Sequence, residues 1–202
     1  MRAHEFVIEA RDDQIELEDL ATKIAQYLLK GGQRSTVGKI TGSTGVLSNV
    51  KVSLRTRMPK TQGLPRSAAA AYDPSTKTII VPRMAKDLTS ELVHELRHAL
   101  DDVKSSGRFL QGRKTNTPIS KNDDPRSAYL SLPLEINARF SQAIHSIIKD
   151  LEGTNPTRKD IVDAIRVEFF VQSITPFFPK KMQDPAYRRL FSRALNYLEG
   201  RL

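Results

Sequence analysis

No cysteine occurs in this 202-residue chain, which excludes both disulfides and thiolate metal ligands. Tryptophan is absent and aromatic residues make up only 6%, so there is no aromatic-rich strand for stacking bases. No apolar run approaches the roughly 20 residues of a membrane span, and no secretory apolar region follows Met1. Acidic residues are also few: 23 Asp and Glu face 32 Lys and Arg, for a net charge of +9. Such an excess favours polyanions, and with no helix-turn-helix or zinc-finger pattern any DNA contact would be non-specific, to phosphates and salt-sensitive. The alternative is a basic protein that binds no polyanion. The charge is uneven, with five acids between residues 12 and 19 and basic stretches at Lys51 to Arg66 and Arg108 to Lys121. A hydrophobic content of 39% is enough for one core, so residues 11–202 read as a single domain.

Histidine is scarce too, yet two of the four histidines share one short segment. Leu92-Val93-His94-Glu95-Leu96-Arg97-His98-Ala99-Leu100 contains His-Glu-x-x-His. Leu88, Leu92, Leu96, Ala99, Leu100 and Val103 recur at helical spacing, so this helix is docked by an apolar stripe. On a helix, His94 and His98 project from one face about one turn apart. Two imidazoles so placed can share a tetrahedral zinc ion, and Glu95 can act as general base on its water.

A catalytic site of this kind needs a third protein ligand and one position left for water. Glu135 is the best candidate, in the first turn of a helix opened by Pro133, whose buried face is Ile136, Phe140, Ile144, Ile147 and Leu151. The plainer reading is that Glu135 only complements the helix dipole. His145 is the rival ligand, and a fourth ligand would close the site to water.

A helix bearing His-Glu-x-x-His, followed by a second helix offering Glu135 with Ala138 nearby, resembles the gluzincin branch of the zincin metallopeptidases. The resemblance is motif-level and spans roughly residues 65–150. Upstream, Ala68 to Pro82 reads as two short strands joined by a turn at Asp73-Pro74-Ser75-Thr76. In zincins a strand just before the active-site helix borders the cleft and pairs with extended substrate. The resemblance implies hydrolysis of a peptide bond in a peptide or protein substrate, with zinc polarising the carbonyl and Glu95 carrying the proton. Tyr129, Tyr72 and Arg139 are the possible donors to the oxyanion. Some gluzincins carry an acid four positions after the glutamate ligand, where this chain has Arg139. The outer partner of a zinc histidine then falls to Asp101 or Asp102.

Residues 1–10 read as an appendage. Glu5-Phe6-Val7 and the Glu9-Ala10 junction resemble the N-terminal capsid-targeting segments of internal head proteins in T-even-type tailed phages, Val7 standing where Leu or Ile is usual. That resemblance implies a virion protein of the head interior, with the host cytoplasm as the other location; a frayed terminus is the plainer reading.

Elsewhere, Ile15 to Lys30 reads as an amphipathic helix ended by Gly31-Gly32. Val37 to Ile40 and Val46 to Leu54 read as strands around a turn at Thr41 to Gly45. Met58 to Pro65 reads as a loop. Lys104 to Ala128 is a long polar connection, either a flap over the cleft or a solvated excursion. Thr157 and Asp160 stand in capping-box spacing before Ile161, Ile165 and Phe169. Asp184-Pro185 opens a last helix with Tyr187, Leu190, Phe191, Ala194 and Leu198 inward. The expected architecture is α+β and zincin-like: a small, mostly antiparallel sheet packed against the His-Glu-x-x-His helix and further C-terminal helices. The expected function is a zinc metallopeptidase. The competing readings are a phage cell-wall endopeptidase and a basic, head-packaged or DNA-associated structural protein that keeps the fold.

Overall fold

A computed structural model describes residues 11–55, 70–82, 87–105, 133–175 and 183–202. The N-terminal appendage, the Met58–Pro65 loop, Tyr129 and all of the long connection beyond Ser105 lie outside the described residues. The described part is a mixed α+β structure with six helices and a four-stranded sheet. It divides into two compact units, one within Asp13–Pro118 and one within Ile119–Leu202.

The first unit begins with α1 (Arg11–Leu29), whose Leu17, Leu20, Ala21, Ile24 and Leu28 are buried at helical spacing. It ends in a Schellman arrangement: Gly31 adopts φ +91°, its N–H donates to Leu28 O, and Gly32 N–H donates to Tyr27 O. Gly32 has a second reason to be glycine, since a Cβ there would fall 2.3 Å from the Tyr27 ring. Next come β1 (Arg34–Thr36), α2 (Val37–Thr41) and β2 (Lys51–Arg55).

The strand expected at Val37–Ile40 is therefore a short helix. Thr36 caps its start by accepting from Lys39 N–H, and Gly42 in the left-handed region caps its end. Val37 and Ile40 stand three residues apart, a spacing that fits one helical turn better than a strand, and the caps decide. The strand expected from Val46 starts only at Lys51, because hydrogen bonds from Ser48 N–H to Gly45 O and from Val50 N–H to Leu47 O fold the preceding residues into turns. Leu47 and Val50 are nonetheless buried.

The hairpin before the histidine helix forms as expected: β3 (Ala71–Asp73) and β4 (Thr78–Pro82) pair antiparallel, Tyr72 opposite Ile79. Asp73 ties its turn by accepting from Ser75 N–H, Ser75 Oγ and Thr76 Oγ1. The strand order is β1-β2-β4-β3, with β2 and β4 parallel and the outer pairs antiparallel. This corrects one expectation. The strand just before the histidine helix, β4, is interior and paired on both sides, so it has no edge for an extended peptide. Among the described strands the two edges belong to β1 and β3, and β3 is the one hairpin-linked to β4.

α3 (Leu88–Lys104) follows, capped by Asp87, which accepts from Ser90 N–H. Its Leu92, Val93, Leu96, Ala99 and Leu100 join α1 and the sheet residues Val52, Tyr72, Ile79 and Val81 in one apolar core.

The second unit is a three-helix cluster of α4 (Pro133–Leu151), α5 (Arg158–Val171) and α6 (Pro185–Glu199). Each start carries its local signal. Pro133 occupies the first position of α4, Thr157 and Asp160 complete a capping box, and Asp184 caps α6 ahead of Pro185. Phe169 is fully buried and lies edge-on to Phe140, Tyr187 and Phe191 at centroid distances of 6.0, 5.9 and 6.2 Å.

Two neighbouring phenylalanines test this packing. Phe169→Ala should cost about 3–5 kcal/mol in urea unfolding. Phe170→Ala, at a position 68% exposed, should stay within about 0.5 kcal/mol of the parent.

Candidate metal site

Every residue of α3 from Leu92 to Asp102 is buried. Its apolar face meets the core described above, and its other face is polar, carrying His94, Glu95, Arg97, His98, Asp101 and Asp102. Charged side chains are seldom fully buried unless paired or ligating. A surface helix with solvated histidines would leave these groups in water, so that reading does not hold.

The two histidines meet through the same atom. His94 Nε2 and His98 Nε2 lie 3.2 Å apart, with the rings edge to face at 4.7 Å. Two nitrogens bound to one zinc ion at about 2.0–2.1 Å and a near-tetrahedral angle would be about 3.3 Å apart. The helix alone brings the pair to this spacing, since residues four apart stack on one face.

Glu135 lies in the first turn of α4, and its side chain is 3% exposed. One ligand atom each of His94, His98 and Glu135 lies within 4.8 Å of the others, and all three residues are buried. This group could hold a metal ion: two imidazole nitrogens and a carboxylate oxygen are donors that borderline-soft divalent cations accept. A glutamate serving only the helix dipole would have no need of burial. His145, the rival ligand, is half-buried and is not part of the group.

The other polar residues of α3 have partners of their own. Arg97 pairs with Asp101 at 2.9 Å, both nearly buried. Burial pushes the Asp101 carboxyl above its usual range, against the opposing pull of Arg97 and His98. The Tyr72 hydroxyl donates to Asp102 Oδ2 at 2.8 Å. Burial first, then this bond to an acid, push that hydroxyl well above its ordinary pKa. Asp101 thus engages Arg97 and feels the charge of His98, while Asp102 engages Tyr72.

The same contacts bear on the oxyanion donors. Tyr72 spends its proton on Asp102, while Arg139 donates Nε–H to Glu135 Oε1 at 2.9 Å and Nη1–H to Gln172 O at 3.0 Å. The Arg97–Asp101 and Glu135–Arg139 pairs were missed in the sequence, although each has the i,i+4 spacing that signals a helical ion pair. The Tyr72–Asp102 bond spans 30 residues and has no local signal.

No protein-family model matches the chain, and no curated protein or solved structure matches it either.

The Tyr72–Asp102 bond predicts a structural effect. Tyr72→Phe removes the donor from a buried carboxylate and should cost about 1–3 kcal/mol of stability in urea unfolding. Metal content should stay unchanged, because Asp102 is not one of the grouped ligands.

Proposed function

We propose that the protein is a zincin-type, zinc-dependent metallopeptidase, with His94, His98 and Glu135 as metal ligands and Glu95 as general base. The observation that carries this reading is the 3.2 Å approach of the two Nε2 atoms in a buried group completed by a carboxylate. Nitrogen and carboxylate donors without thiolate suit catalytic zinc, and three protein ligands leave a fourth position open. A zinc ion held there would supply Lewis acidity and lower the pKa of its water to about 7.

Glu95 supplies what the ligands cannot. A carboxylate adjoining His94 on a buried helix can take a proton from the attacking water and hand it to the leaving amine. A protein that only bound the metal would have no chemical use for it. Among the described strands β3 is an edge strand next to β4, and an extended peptide could add to it by backbone hydrogen bonds.

Metal analysis of the purified protein should find about one zinc per chain, falling sharply in His94→Ala and His98→Ala. Glu135→Ala should weaken zinc binding, and His145→Ala should not. Glu95→Gln should keep its zinc and lose peptide hydrolysis by about 10²–10⁴-fold, read against a mixed peptide library. Zinc retained in the double histidine variant would overturn the ligand assignment. Activity retained in Glu95→Gln would overturn the base.

A further inference from the structure

Arg139 stands four residues after Glu135, one turn along the same helix. Its side chain is only 22% exposed and its guanidinium makes two directed bonds, Nε–H to Glu135 Oε1 at 2.9 Å and Nη1–H to the Gln172 carbonyl at 3.0 Å. Gln172 caps the C-terminal end of α5, so the guanidinium is anchored from a second helix as well as its own. An arginine held only by its carboxylate could swing with it. One fixed by a backbone carbonyl has a set position and sets that of the carboxylate.

We infer that Arg139 is a positioning residue for the metal, resting on the proposed ligand role of Glu135. By engaging Oε1 it fixes the rotamer of the carboxylate and favours ligation through a single oxygen. Lysine cannot replace it: a point charge on a flexible stem does not reproduce a planar fork that meets a side chain and a carbonyl together.

The test is metal affinity in the full chain, measured by competition of zinc with a chromogenic chelator, alongside thermal unfolding of the metal-free protein. Arg139→Ala should weaken zinc binding by about 10–100-fold, the usual effect of losing an outer partner, and Arg139→Lys should recover only part of it. In a Glu135→Ala background, Arg139→Ala should change zinc affinity less than twofold, because its effect passes through the carboxylate. Should Arg139→Ala not fold, Arg139→Gln and Arg139→Lys give the same comparison. Parent-like affinity in a folded Arg139 variant, or an equal loss in both backgrounds, would overturn the inference. A parent protein that binds no zinc would overturn the metal reading itself, which is a different result.

Discussion

Two imidazole nitrogens held 3.2 Å apart on one helical turn are the constraint on which the site depends. They are buried, so they have left water without leaving each other. At that distance two imidazole nitrogens form a hydrogen bond when one ring donates and the other accepts. A divalent cation resolves the same geometry by taking both lone pairs. The helix must therefore be held rigid, and its burial through Leu92–Asp102 is what holds it.

That burial brings polar groups inside with the apolar ones. Leu92, Leu96, Ala99 and Leu100 gain from it directly, at about 25 cal/mol per Å² of apolar surface removed from water. The charged residues do not, and each must find compensation. Arg97 and Asp101 compensate each other within the helix, and Asp102 takes a proton donor from the sheet through Tyr72. Tyr72 Oη thus ties β3 to α3 by a directed bond, where the core residues around it give only non-directional contact. Burying such groups costs stability unless every one is satisfied. A fold that keeps them on one face of one helix has spent stability on an arrangement of donors and acceptors.

The parts of this arrangement legible in the sequence were those written in local chemistry. His94 and His98 read as a pair because four residues make one turn. Glu135 read as a first-turn residue because Pro133 precedes it. Thr157 with Asp160, and Asp184 with Pro185, announced the starts of their helices at the right residues. Errors arose where the same pattern serves two structures. Val37 and Ile40 are β-branched and suit a strand, yet they stand three apart, and Thr36 and Gly42 cap the segment as a helix. The order of the strands was not legible at all, since a period of two says which face is buried and nothing about which neighbour lies alongside. Nor does an apolar stripe name the core it joins: the α3 and α4 stripes look alike in sequence and belong to different clusters.

The parallel pairing of β2 with β4 has a consequence for how the chain reaches this state. The β3–β4 hairpin is local and can close early. Lys51 meets Thr78 only after the intervening segment has looped back, and contacts this distant in sequence form slowly. β4 leads into the histidine helix, so α3 acquires its platform no sooner than that crossover closes. The ligand pair is the product of one helical turn, but the sheet beneath it depends on a pairing that no local segment can make.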